Sequence, residues 1–226
     1  MTALAAGPAG TRRILFRAAR LLDPESGLDA KGDLLIEGAK IKAVGGTLAE
    51  PGARVVAADG LCLAPGLVDM RVQLREPGAA HMESVESGGQ AAAAGGVTTM
   101  VTLPNTDPPI DDVSVVEFLA RRAREVKLAK VHTYGAATQG LAGRRLTEMG
   151  LLAANGVLGF TDGVRAIADA LVMRRVLAYA SNFDLLVLQH PEEPSLVAIS
   201  PSLTSPAASR LGSSGCCSTK RSKLLA

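Results

Sequence analysis

The side chains able to do chemistry collect in five short places in this 226-residue chain. They are Arg71, Gln73 and Arg75 in LVDMRVQLREPG, Pro104-Asn105-Thr106, Thr138-Gln139, Asp162 in GFTDG, and His190 in LVLQHPEE, each where an apolar run stops. Arg71 and Gln73 are two apart on a strand and so share a face. A guanidinium has five donors, no acceptor and a permanent charge, while a glutamine adds a neutral amide oxygen. Arg75 has the planar fork that suits a carboxylate, and Asn105 offers a neutral amide. Both have plainer uses as well: Arg75 can pair with Glu76 or Glu83, and Asn105 can form the turn before Pro108-Pro109. By themselves, Asp162 before Gly163 reads as a turn residue and His190 as a hydrogen-bonded histidine.

Those residues become one site only if the strands carrying them run side by side in one direction. From Gly66 onward the sequence has that rhythm. LVDMRVQL leads to a helix at 84–94, and GVTTMVTLPNT leads to the helix DDVSVVEFLARRAREVKLA with Asp111 or Asp112 as its N-cap. VHTYGAAT then leads to a helix LTEMGLLAAN ending before Gly156, GVLGFTDG to a helix AIADALVMRRVLAYA, and DLLVLQHPEE follows. Five apolar strands separated by helices imply a parallel sheet covered on both faces. Such sheets place their chemistry at the C-terminal strand ends. His132 begins its strand and falls at the opposite end, and His81 sits in the solvated loop PGAAHMES. Gly95-Gly96 lacks the spacing of a phosphate cradle and reads as a helix C-cap.

Ahead of these steps, residues 13–65 carry short alternating segments and form a small β-domain. Glu37-Gly38-Ala39-Lys40 is a turn between two strands, and Asp59-Gly60 is a hairpin signal. Residues 1–12 read as a flexible N-terminus whose basic residues follow a weak apolar stretch, the wrong order for a secretion signal. Residues 195–226 hold nine serines, no acid and no lasting periodicity. They read either as a flexible tail or as a shifted reading frame appended to a truncated domain.

A composition of 47% hydrophobic residues supports a real core. The formal charge is +2, of which the tail holds +4 through Arg210, Lys220, Arg221 and Lys223, leaving −2 elsewhere. Neither nucleic acid nor an anionic membrane is implied as a partner. No apolar run reaches the roughly 18 residues of a membrane span, so the chain reads as cytoplasmic. Cys62, Cys216 and Cys217 have no spacing suited to a disulfide framework or a zinc knuckle.

Four strings, APGLVDMRVQLREPG, AAAAGGVTTMVTLPNTDPPIDD, GVLGFTDG and LVLQHPEE, occur in that order and resemble successive strand ends of dihydroorotases in the amidohydrolase superfamily. The resemblance implies an α/β fold: a (β/α)8 TIM-type barrel, here its first five units over 66–194, beside the small N-terminal β-domain. It also implies a zinc-dependent hydrolase interconverting carbamoyl aspartate and dihydroorotate in pyrimidine biosynthesis. In that family the first strand ends in His-x-His, both imidazoles binding metal. Here Arg71 and Gln73 hold those positions.

Arg71 has no lone pair to give and puts a positive charge beside the cation, and Gln73 offers an oxygen suited to calcium or magnesium more than to zinc. Zinc catalysis needs about three protein ligands to lower the pKa of a bound water, so losing two removes the nucleophile. By the resemblance, Asp162 matches a bridging metal aspartate, His190 a histidine ligand, Arg75 the arginine on the substrate carboxylate and Asn105 an amide on the same ligand. A further histidine and the general-base aspartate have no counterpart in 195–226.

The resemblance therefore implies a dihydroorotase homologue with no catalytic residue and no bound zinc. The expected role of the full-length protein is that of a structural partner of aspartate carbamoyltransferase, with a carboxylate as its remaining small ligand. Two other readings stay open: a working cyclic-amide hydrolase using Asp162, His190 and an unusual metal, and a truncated product with no function, since five of eight units cannot close a barrel. An Arg71–Asp162 ion pair is expected to fill the vacant metal position.

Overall fold

The computed structural model describes residues 13–192. The expected flexible N-terminus at 1–12 and the serine-rich tail at 195–226 lie outside the described residues. The chain divides into two units, Met1–Gly66 and Leu67–Ala226.

The first unit is built on β1 (Arg13–Asp23), which pairs antiparallel with β2 (Leu28–Glu37). β2 turns at Gly38, whose φ is +63°, into β3 (Lys40–Val44), as the Glu37–Lys40 turn requires. Between Phe16 and Ala19 the β1–β2 register slips, and Ala18 there has a left-handed φ of +59°. An extra residue in one strand reverses which side chains face which way. Ala19 and Leu21 are thereby carried onto the face of Phe16, and all three pack with Leu34, Ala58 and Leu63. The buried Asp33 carboxylate holds the irregularity in place, accepting from Ala18 N at 2.9 Å and Leu48 N at 2.9 Å.

The hairpin expected at Asp59-Gly60 does not form. β4 (Arg54–Ala57) and β5 (Cys62–Leu63) both pair parallel with β1, one on each side of its bulge. The turn between them is an excursion that matches that bulge: Ala58 N donates to Arg17 O and Arg20 N to Leu61 O, both at 2.9 Å. A turn signal reports local chain reversal and says nothing of the strand that will pair beside it.

In the second unit β6 (Leu67–Val72), β7 (Val97–Thr102) and β8 (Lys130–Thr133) form a parallel sheet in that order. The ladder continues as single parallel bridges, Gly135 to Phe160 and Phe160 to Val187. Thr161 N donates to Gly135 O at 3.0 Å and Leu188 N to Phe160 O at 2.9 Å. The five expected strand positions thus follow one another, two of them as bridges rather than full strands.

The helices between them are α1 (Val85–Ala94), α2 (Val113–Val126), α3 (Met149–Ala154) and α4 (Ala170–Ser181). Ser84 caps α1 in a reciprocal box with Ser87, and Asp112, not Asp111, caps α2 by accepting from Ser114 N. α1 closes at Gly95, and Gly96 at φ +76° lets the chain turn back. Gly88 lets α1 lie close to the segment just past β6, since a Cβ there would lie 2.6 Å from Leu74 Cδ2.

α3 and α4 begin later than periodicity predicts. Leu146 bridges to Thr138, and the buried Thr147 hydroxyl donates to Ala136 O at 2.6 Å, tying the start of that stretch to the strand end. Asp169 accepts from Leu171 N and Val172 N and so fixes the start of α4. Beneath the helices Leu74, Ile110, Leu119, Met149, Phe160 and Val176 form a continuous core. Among the described residues no helix is long and apolar enough to cross a membrane.

Candidate functional site

Just past β6, Gln73 Oε1 accepts from Arg75 Nη2 at 2.7 Å. Arg75 therefore uses neither glutamate side chain that the sequence offered it. Glu76, 9% exposed, instead accepts from Arg122 Nε at 2.7 Å and Val85 N at 2.9 Å, fastening the loop to both α2 and α1. Arg71 is exposed, and its backbone N–H donates to Asp69 Oδ1.

At the Phe160 position the strand ends in Asp162, 2% exposed. One oxygen accepts from Thr138 N at 2.9 Å and the other from the Thr138 hydroxyl, which in turn accepts from Gly143 N at 2.8 Å. Burial pushes the Asp162 carboxyl above the usual carboxylate range, and the Thr138 donors pull against that shift. The expected Arg71–Asp162 ion pair is not made: among the described residues no cation lies within ion-pair distance of Asp162, whose two oxygens accept from Thr138.

His190 meets Glu192 Oε2 through Nε2 at 2.9 Å, and its buried Nδ1 has no partner among the described residues. His81 and His132 are exposed, as expected for residues away from the site.

Asn105 follows β7 in a loop whose Thr106 hydroxyl donates to Pro108 O at 2.7 Å. Its Oδ1 is buried and has no partner among the described residues. Buried polar atoms are almost always satisfied, so an orphan at a strand end points to a missing partner. Asn105 and Asp162 converge on one cavity of about 290 Å³, together with Thr106, Gly140 and Arg165. Leu141 and Val164 supply its apolar wall. Gly163, at φ +72°, lets the backbone pass beside Asn105, where a Cβ would sit 3.7 Å from that of Asn105.

Arg75 and His190 are not among the residues lining this cavity. Larger hollows, about 580 Å³ beside Arg20 and about 530 Å³ along α2, contain no strand-end residue, so chemistry rather than volume singles out the smaller one. Arg165 was not legible as a site residue. It lies three positions beyond a strand end, in a loop whose path no periodicity describes.

The residues at the first strand do not fit a zinc ion. Arg71 has no lone pair, and Gln73 Oε1 is engaged by Arg75. Among the described residues no three His, Cys, Asp or Glu side chains gather closely enough to hold a metal.

A family model described as Dihydro-orotase-like matches residues 60–218. The chain belongs to this family. A dihydroorotase of Pelobacter propionicus is 42% identical over 185 residues, covering 81% of this chain and 44% of that protein. A dihydroorotase-like protein of Pseudomonas aeruginosa is 42% identical over 214 residues, covering 94% of this chain and 51% of that protein. This dihydro-orotase-like chain thus spans about half the length of the curated relatives it matches. An L-hydantoinase from Arthrobacter aurescens shares its fold, with a TM-score of 0.67 at 19% identity over 84% of this chain and 42% of that one.

Proposed function

We propose that this dihydro-orotase-like chain is a non-catalytic member of its family, cytoplasmic, and that the full-length protein acts in pyrimidine biosynthesis as a structural partner of aspartate carbamoyltransferase. The observation that carries the reading is the Gln73–Arg75 bond beside Arg71. Where the family's metal chemistry calls for two imidazole lone pairs, this chain places two guanidinium groups and an amide already in use. The five strand positions are the first units of a (β/α)8 barrel, a reading supported by the parallel order β6-β7-β8 and the bridges at Gly135, Phe160 and Val187. Asn105 and Arg75 are its substrate-side residues, and Asp162 and His190 are remnants of a metal set. A fold can lose its chemistry and keep its surfaces, because the two depend on different residues.

Co-expression with aspartate carbamoyltransferase tests the partnership: the two are expected to co-elute on size exclusion, and separate elution at micromolar concentration would count against it. Zinc content and dihydroorotate ring opening test the loss of catalysis. Stoichiometric zinc with turnover would overturn it. One observation favours a second reading, a working cyclic-amide hydrolase: among the described residues the buried Nδ1 of His190 has no partner, and a neutral imidazole nitrogen can ligate a cation.

A further inference from the structure

β6 pairs on one side with β7, and among the described residues no strand lies on its other side. Val68, Asp69, Met70 and Arg71 are all exposed along it, and Val72 is half-buried. Among the described residues neither Asp69 nor Arg71 makes a side-chain ion pair. The β6–β7 register slips between Asp69 and Val72, and the Arg71 N–H goes to Asp69 Oδ1 at 3.0 Å in place of a strand carbonyl. An edge donor met only by the strand's own side chain is open to exchange with a neighbouring strand. The order Val68-Asp69-Met70-Arg71-Val72 says which neighbour suits it: about Met70 the apolar positions mirror one another and the charges invert.

We propose that β6 is the interface of a two-fold dimer, a second copy of this chain pairing antiparallel along it with Met70 opposite the partner's Met70. In that register Asp69 faces the partner's Arg71 and Val68 faces the partner's Val72, and the symmetry makes each pair twice. A shift of one residue sets apolar side chains against charges. A shift of two sets Asp69 against the partner's Asp69, or Arg71 against the partner's Arg71. Charge thus selects one register where apolar burial alone would allow several. Among the described residues the other open edge is at 185–188, where Val187 bridges to Phe160. Its sequence LLVL carries no charge and would leave Asp69 and Arg71 unpaired. The inference goes beyond the partnership proposed above, since it concerns contacts between copies of this chain and gives Arg71 a use that involves no metal.

Sedimentation velocity of the full 226-residue chain over a concentration series is expected to show a monomer–dimer equilibrium. Asp69→Arg and Arg71→Asp each set like charges across the axis twice, and each is expected to raise the dissociation constant about tenfold or more. Mixed one to one, the two variants again place opposite charges at both pairs. A mixed dimer is therefore expected at concentrations where each variant alone is monomeric. Met70→Cys, in a chain whose three cysteines are changed to serine, puts a thiol on the axis and is expected to give a disulfide-linked dimer under a mild oxidant. That variant decides the matter should either charge variant fail to fold. A monomer at every concentration, an open-ended series of oligomers, no mixed dimer from two folded variants, or a Met70→Cys chain that stays monomeric under the oxidant overturns the proposal.

Discussion

Thr138 grips both oxygens of Asp162 and receives Gly143 N on its own hydroxyl, so one buried side chain holds three segments at the strand ends. Thr138→Val keeps the shape, removes the hydroxyl and leaves a carboxylate oxygen and an amide N–H unsatisfied. A loss of about 1–3 kcal/mol in stability is expected. Urea denaturation of the variant measures it, and Thr138→Ser should recover most of the difference. At the first strand, Arg71→His with Gln73→His replaces a charge and an engaged amide by two imidazoles. After extensive dialysis the double variant is expected to retain more zinc by elemental analysis than the parent chain. Equal zinc in both would mean that these two positions do not control metal binding. Asn105 and Asp162 were legible as site residues because each ends an apolar run. Arg75 was legible as an arginine near the site, but its engagement by Gln73 depends on rotamers that residue spacing does not encode.

Among the elements, the β1 bulge depends on a buried carboxylate. The N–H groups of Ala18 and Leu48 hold the Asp33 carboxyl below the usual carboxylate range. The folded state therefore binds that proton less readily than the unfolded chain. The Asp33 contribution is complete above its unfolded pKa of about 3.9 and is lost as pH falls through the lower folded value. Asp33→Asn is expected to lower the melting temperature at pH 7, with the gap to the parent closing as the pH is taken below 4; a constant gap would show that charge is not what matters. Phe160 is fully buried and lies between two bridges, to Gly135 and to Val187. Phe160→Ala is expected to cost about 3–5 kcal/mol, read as a lower denaturation midpoint. Periodicity placed α1 and α2 closely because Ser84 and Asp112 cap them locally. It misplaced the starts of α3 and α4, where Thr147 and Asp169 decide the matter through their own bonds.

Across the whole chain, the apolar strand that opens the parallel sheet is not shielded by the described residues. Leu67, Val68 and Met70 are 61%, 59% and 57% exposed, and among the described residues β6 pairs with β7 alone. A strand with an open edge and uncovered apolar side chains promotes association. This chain by itself is expected to scatter light increasingly with concentration, and Val68→Lys with Met70→Lys to reduce that scattering. Scattering unchanged by the pair would place the association elsewhere. A continuous apolar run reads as a strand covered on both faces, and it reports the surroundings a strand is suited to instead of those it has.

Local chemistry sufficed for what depends on neighbours in the chain: the alternation of strand and helix and the caps of α1 and α2. Those follow from residue type and spacing. Tertiary structure alone decided that β4 and β5 flank β1 in parallel, that Thr138 occupies Asp162, and that Arg165 rather than Arg75 lines the cavity with Asn105. Each of these is a contact between groups distant in sequence, made or missed according to how loops of unpatterned residues cross in space.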